Sequence, residues 1–343
     1  MKAVVMEEPK RLVVKDLPMP VAGPDEVVIK VHACGICGSD VHGYEGKHFQ
    51  FTYPRVMGHE FGGTIYEVGS HVQNAKVGDR VCAETNQPCK TCYHCTHGMP
   101  GLCQNRVTNG FDVDGGLAEY VKIPAENIVP VPDDMDLDTA VLAQPFGVSF
   151  HALHDRVTVH PGDTVLVIGA GGVGIGAMAV AKCMGARVII SDLADFRLET
   201  AKLMGADVTV NSGKEDLVAR VKEVTDGVGA DIVLECVGGN QCKTLEQAVN
   251  AVRFRGVVVT MGTFASSEVI MNPNLIRWHE IEFRGSQGQY GAYAPTLALI
   301  HSQKFNIKPM CTHVFKLEDA QKAFDLLRHP GPDDKVIKVL MKP

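Results

Sequence analysis

Residues Thr164–Asp192 read TVLVIGAGGVGIGAMAVAKCMGARVIISD. A short apolar run, Thr164 to Ile168, meets a glycine cluster at Gly169, Gly171, Gly172 and Gly174, then passes into a proline-free segment rich in Ala, Val and Met. That order predicts a buried strand, a tight turn and the start of a helix. Gly169, Gly171 and Gly174 supply G-x-G-x-x-G, with Gly172 and Val173 between the last two. Missing Cβ atoms permit the turn, let backbone N–H groups approach a pyrophosphate and let helix pack closely on strand. The helix N-terminus then faces the anion. A second strand, Arg187 to Ser191, leads to Asp192, 23 residues after Gly169. A carboxylate there accepts hydrogen bonds from both hydroxyls of an adenosine ribose and repels a 2′-phosphate, which favours NAD over NADP. The glycine pattern alone is weak evidence in a chain with 35 glycines. Here the strand before it, the helix behind it and the acid after the next strand are all in place.

The same alternation continues after Pro145. Strands are expected at Thr164–Ile168, Arg187–Ser191, Val208–Val210, Asp231–Glu235, Gly256–Met261 and Glu282–Arg284. Helices are expected to Gly185 and over Asp195–Gly205, Lys214–Thr225 and Gln241–Arg253. Six strands with intervening helices predict an α/β, doubly wound parallel sheet whose ligands sit at the carboxyl ends of the strands. Arg197 is placed to reach the adenosine side. Glu235–Gly239, with Val237 at its centre, and Met261–Gly262 end the fourth and fifth strands, where their backbone groups could meet the nicotinamide ribose and carboxamide.

With 343 residues, two domains are expected, each able to bury a core. A formal charge of −7 gives no electrostatic reason to expect nucleic acid or an anionic membrane as partner. The N-terminus, MKAVVMEEPKRLVVKD, carries charges throughout and no apolar run of signal or membrane-span length, so a cytoplasmic protein is expected. Eleven cysteines, an odd number, argue for metal-bound or free thiols over a disulfide framework.

Residues 1 to about 130 read as short strands, such as Lys2–Met6, Glu26–Val31, Gly63–Val68 and Arg80–Ala83, separated by Gly, Pro, Asn and Asp: a mainly β domain. Two sets of metal ligands lie within it. Cys89, Cys92, Cys95 and Cys103 occupy fifteen residues, and two C-x-x-C steps plus a returning loop close a tetrahedron of thiolates with no vacant position, as in a structural zinc site. The second set is dispersed: Cys37 in CGICGSDVH, then His59 and Glu60 in MGHEFGG. An incomplete set leaves a position for water or a substrate oxygen, as a Lewis-acid site requires. Ser39 and His42 follow Cys37, and a hydroxyl with a histidine near neutral pKa can relay a proton outward.

The order C-G-S-D-x-H, G-H-E, the four-cysteine loop and G-x-G-x-x-G resembles the zinc-dependent medium-chain alcohol dehydrogenases over nearly the whole chain. It is most similar to their sorbitol or polyol dehydrogenase branch, through CGICGSDVH, GHE, SDLADFRLETAKLMGAD and KPMCTHVFKLEDAQKAFD. The resemblance implies a GroES-like catalytic domain over residues 1–146 and 285–343 and an NAD-binding Rossmann domain over 147–284, with zinc, nicotinamide and substrate meeting in a cleft. It implies two Zn2+ per chain and NAD. Cys37 and His59 would bind the catalytic zinc, with Glu60 as a third ligand or close behind. Gln144 stands where relatives carry cysteine or glutamate, and is a candidate neutral ligand. Ser39 and His42 match the family's proton relay.

The implied reaction is hydride transfer between a secondary alcohol of a polyol, sugar or sugar acid and NAD, the reverse reducing a ketone. Threonine or butanediol dehydrogenation and a non-catalytic NAD-responsive binder are the alternatives; zinc-free quinone reductases would lack the Cys37, His59 and Glu60 set. Where polyol enzymes place an arginine followed by an aromatic, this chain reads GSQGQYGAY with Gln287, Gln289 and Tyr290. Tyr44 and Phe111 are further candidates for the pocket wall. A homodimer or homotetramer is expected from the family.

Overall fold

Alternating apolar residues in EVVIKVHACGI give an eleven-residue strand, Glu26–Ile36, the central element of the first unit. The computed structural model describes residues 1–48, 50–238, 242–263, 268–269, 271–303, 305–331 and 333–343. In the larger sheet the strand order is Ile128–Pro130, Arg80–Ala83, Glu60–Val68, Glu26–Ile36, Lys338–Lys342 and Cys311–Lys316, and Tyr120–Pro124 also pairs with Glu26–Ile36. Lys2–Glu8, Arg11–Asp16 and Arg55–Val56 form a smaller sheet. Ile29, Phe61, Ile65, Leu117, Ile123, Phe324, Val339 and Met341 are buried between these elements, where each aliphatic side chain is worth about 1.5–3 kcal/mol. Strands Glu26–Ile36 and Glu60–Val68 run further toward Cys37 and His59 than the sequence alternation suggests. Their ends are buried on both faces, which erases the in–out pattern.

In the second unit the strands are β1 (Thr164–Ile168), β2 (Arg187–Asp192), β3 (Val208–Asn211), β4 (Ala230–Glu235), β5 (Val252–Thr260) and β6 (Glu282–Gly285). All pair in parallel, in the order β3-β2-β1-β4-β5-β6. The order reverses beside β1, which makes its carboxyl end the switch point of a doubly wound sheet. The helices are α1 (Gly172–Cys183), α2 (Asp195–Leu203), α3 (Leu217–Val224) and α4 (Cys242–Ala251).

Several boundaries differ from the sequence expectation. Asp216 caps α3 by accepting from Ala219 N at 3.0 Å, so that helix begins at Leu217, three residues late. β5 begins at Val252, which pairs with Ala230, and takes in residues expected to end a helix. Gln241, the expected start of that helix, lies outside the described residues. A further helix, Pro273–His279, precedes β6. Helix Gln144–Phe150 and the wider turn His151–Arg156 precede β1.

The first unit comprises Met1–Gln144, Tyr293–Leu297 and Cys311–Pro343, and the second Pro145–Ala292 and Ala298–Met310. The second unit keeps the chain past residue 285, where Ser286 N donates to Thr260 O at 3.1 Å and Arg156 Nε donates to Gly285 O at 2.9 Å. No helix among the described residues is long and apolar enough to cross a membrane.

Candidate active site

The central strand of the first unit delivers Cys37 to the N-terminus of the short helix Gly38–Tyr44, and the neighbouring strand begins immediately after His59. Ligand atoms of Cys37, His59 and Glu60 lie within 4.8 Å of one another. Asp40, fully buried, accepts from Cys37 N at 2.8 Å, and its Oδ1 stands 3.4 Å from His59 Nδ1. With the carboxylate beside Nδ1 at ion-pair distance, Nε2 is left for a metal. Burial opposes a charge on His59, but Asp40 and Cys37 outweigh it and hold the imidazole pKa well above its ordinary value. Lys338, from the C-terminal strand, forms a buried ion pair with Glu60 Oε2, while Glu60 Oε1 has no hydrogen-bond partner among the described residues. Gly35 lies opposite Glu60, and a Cβ there would stand 2.2 Å from Glu60 Oε2. Burial opposes a charge on Lys338, yet Glu60, followed by Cys37, raises its pKa.

The donor set fits zinc. Thiolate, imidazole and carboxylate are its usual ligands. With Cys37 ionised, the three anions Cys37, Asp40 and Glu60 face one ammonium, and a divalent cation balances the remainder in a site where unpaired charge is costly.

The four-cysteine loop is closed in the same unit. Cys92 Sγ stands 3.5 Å from Cys95 Sγ and 3.8 Å from Cys103 Sγ, far beyond bonded sulfurs. A tetrahedron with zinc–sulfur arms near 2.3 Å has edges of about 3.8 Å. Backbone N–H groups of Thr91 and Cys92 aim at Cys89 and hold its thiol down to about 5, while burial pushes Cys95 up to about 12. Such crowded thiols ionise unequally until a cation neutralises them.

In the second unit the three motif glycines are required for different reasons. Gly169 has φ +99°, which a side chain resists. A Cβ on Gly174 would lie 1.8 Å from Gly169 O, so α1 could not approach β1. Gly171 has nothing within 4 Å of a built Cβ, the open space a close-lying phosphate needs. No side chain caps α1, which leaves its first N–H groups, those of Gly172 and Val173 included, for an anion. Asp192 Oδ2 accepts from Ala170 N at 2.7 Å, and Oδ1 from Leu193 N and Ala194 N at 2.8 and 2.9 Å. The end of β2 is thereby tied to the glycine turn. Arg197 Nη1 stands 3.7 Å from Asp192 Oδ2.

Residues 23–133 match the alcohol dehydrogenase GroES-like domain family, and residues 172–302 match the zinc-binding dehydrogenase family. The chain is 39% identical over 338 residues to an L-threonine 3-dehydrogenase of Pyrococcus horikoshii, covering 96% of this chain and 94% of that one. It is 37% identical over 334 residues to a sorbitol dehydrogenase of Halalkalibacterium halodurans, covering 96% and 95%. A zinc-binding dehydrogenase structure from Sinorhizobium meliloti 1021, bound to NADP, superposes with a TM-score of 0.93 at 31% identity, covering 100% of this chain and 99% of that one. The chain belongs to the zinc-dependent medium-chain dehydrogenases.

As a medium-chain dehydrogenase, the chain is an oxidoreductase of the zinc-dependent alcohol dehydrogenase type. Its remaining expected residues fall as follows. Ser39 is half-buried and His42 exposed on one helix, three residues apart and so on one face. Gln144 is buried and opens helix Gln144–Phe150. Val237 N donates to Glu235 Oε1 at 3.1 Å, and Met261 N and Gly262 N both donate to Glu235 O, so the ends of β4 and β5 are held together. Gly239 lies outside the described residues. Phe111 packs on the His59 ring with centroids 4.9 Å apart, whereas Tyr44 packs on Phe324 at 5.5 Å and under the Arg328 guanidinium.

Two residues of this dehydrogenase escape sequence reasoning. Asp40 sits inside CGSDVH but reads as an ordinary polar residue until its complete burial is known. Lys338 reads as an exposed strand lysine, 278 residues from Glu60.

Proposed function

We propose that the chain oxidises a secondary alcohol of a polyol, sugar or sugar acid, passing hydride to NAD, and reduces the ketone in reverse. The observation that carries this reading is the Cys37, His59 and Glu60 cluster, with its ligand atoms within 4.8 Å. Two Zn2+ per chain are proposed, one held by Cys37 and His59 with Glu60 and Gln144 as further ligands, and one by Cys89, Cys92, Cys95 and Cys103. Zinc bound at the first set supplies Lewis acidity that lowers the pKa of an alcohol. Ser39 takes the hydroxyl proton and hands it to His42, whose exposure lets it pass the proton to solvent. NAD bound to the second unit would supply the acceptor for the carbinol hydride. Gly171, Gly172, Val173 and the start of α1 would hold the pyrophosphate, Asp192 with Arg197 would meet the adenosine ribose, and Val237, Met261 and Gly262 would contact the nicotinamide side. NAD is preferred because Asp192 would repel a 2′-phosphate.

A second reading, a threonine- or butanediol-type dehydrogenase, is favoured by the 39% identity to an L-threonine 3-dehydrogenase. A panel of polyols, sugars, sugar acids, butanediols and threonine, followed by NADH formation, separates the two. Turnover of threonine or butanediol above every polyol and sugar would replace the first reading with the second. The active assembly is proposed as a homodimer or homotetramer, which light scattering measures directly.

A further inference from the structure

Within the first unit, the rings that pack around His59 lead to an arginine without a counter-charge. Phe111, which packs on the His59 imidazole, also packs on His48 at 4.8 Å and on Phe51 at 4.6 Å between centroids. Thr52 N and Oγ1 both donate to Phe111 O, at 3.2 and 3.0 Å, which ties the two segments together. Between His48 and Phe51 in the chain lies Gln50, whose N donates to His48 Nδ1 at 3.3 Å and whose Oε1 accepts from Arg106 Nη2 at 3.0 Å. Arg106 is half-buried, its Nε is buried without a hydrogen-bond partner, and no carboxylate pairs with it among the described residues. Arg55 and Arg328, half-buried in the same unit, instead face Asp114 at 3.4 Å and Glu45 at 3.5 Å. Burial, followed by the charge on His59, holds the His48 pKa below its ordinary value, and Arg106 adds to that lowering. The guanidinium charge is thus felt at the ring that touches Phe111.

Covering a cation without a compensating charge is costly, which suits a place where the anion arrives with a ligand. Arginine can only donate, so the Gln50 oxygen faces it, and the Gln50 amide NH2 makes no hydrogen bond among the described residues. Guanidinium N–H groups beside an amide NH2 form a set of donors. Carboxylate and phosphate oxygens only accept, and the planar fork of arginine meets two of them at once. The path from His59 to Arg106 passes through Phe111, His48 and Gln50, all of the first unit.

We propose that Arg106, oriented by Gln50, binds an anionic group of the substrate, a carboxylate or a phosphate ester carried on the same carbon chain as the hydroxyl that is oxidised. The proposal rests on the alcohol-oxidising reading above and narrows it to charged substrates. Gln50 is a positioning residue in it.

The test measures NADH formation by wild type, Arg106→Gln, Arg106→Lys and Gln50→Leu with an aldonic acid, a polyol phosphate ester and the neutral polyol of the same chain length. Binding is read separately, as the rise in Tm that each compound causes without coenzyme. Wild type should show a lower KM for one of the anionic substrates than for the neutral polyol, and the lower of the two names the anion. Arg106→Gln should raise that KM by about ten- to a hundredfold, as the loss of a charge-assisted hydrogen bond does, with smaller changes in kcat and in KM for the neutral polyol. The Tm rise with the anionic compound should shrink in step. Arg106→Lys should recover part of the loss, since it restores the charge without the fork. Gln50→Leu should raise the same KM by about two- to tenfold. A wild-type preference for the neutral polyol, or equal KM changes for charged and neutral substrates, overturns the proposal while leaving alcohol oxidation in place. A lowered Tm in Arg106→Gln with KM for the anionic substrate unchanged overturns it too, by assigning the guanidinium to holding the loop. Absence of NAD-dependent turnover on every alcohol removes the underlying reading, and this one with it.

Discussion

Cys37, His59 and Glu60 are ordinary residue types whose meaning depends on what surrounds them. Asp40 orients the imidazole, and Lys338 anchors the carboxylate in a pocket that Gly35 leaves open. Removing Cys37 deletes a ligand without touching the glycine turn. Cys37→Ala is therefore expected to abolish turnover while leaving NADH affinity nearly unchanged by fluorescence titration. Loss of coenzyme binding in a folded variant would contradict that separation. Lys338→Met strands the Glu60 carboxylate in the interior, where breaking a buried pair costs about 3–5 kcal/mol. Chemical denaturation of the chelated protein should register a loss of that order, and added zinc should recover part of it; equal stability of variant and wild type would deny the pair its role. Neither partner of this pair is legible alone. Glu60 stands beside a histidine in GHE, but the cation that completes it comes from a strand 278 residues away.

The strand–turn–helix from β1 to α1 shows how one motif combines two constraints that mutagenesis can separate. Gly174 is fixed by packing and Gly171 by the space beside it. Gly174→Ala should lower Tm and weaken coenzyme binding together. Gly171→Ala, at φ −75° with room for a methyl group, should keep Tm and lose NADH affinity. Equal Tm losses in the two variants would show that packing alone explains both glycines. Asp192 has a double duty at the end of β2: Asp192→Asn removes the charge and keeps an amide oxygen for Ala170 N, but its NH2 then faces Leu193 N and Ala194 N, so the coenzyme ratio is read beside Tm. The ratio of kcat/KM for NAD over NADP should fall, and an unchanged ratio would remove the carboxylate from coenzyme choice. These elements were legible because their signals are local. Helix Pro273–His279 was missed although Asn272 caps it and Pro273 opens it, both of which are readable start signals.

At the scale of the molecule, the first unit is a set of short strands closed by a distant C-terminal segment, and the four-cysteine loop hangs from it as a separately clamped piece. On the two-zinc proposal, Cys95→Ser should remove one zinc ion per chain, measured by elemental analysis, and lower Tm with the glycine turn untouched. Two zinc ions retained in that variant would place the second metal elsewhere. Composition gave no electrostatic reason to expect nucleic acid or membrane as partner, and the period change after Pro145 located the parallel sheet. The sequence by itself determined what depends on neighbours along the chain: the glycine turn, the four thiols within fifteen residues, and the class of sheet. Tertiary structure decided the rest. The meeting of Gly35, Glu60 and Lys338, the burial of Asp40, and the placement of Gln289 beside Gly147 depend on sheet register and packing between distant segments. A slip of one residue turns every side chain of a strand to its other face, and no local pattern encodes which distant strand lies alongside.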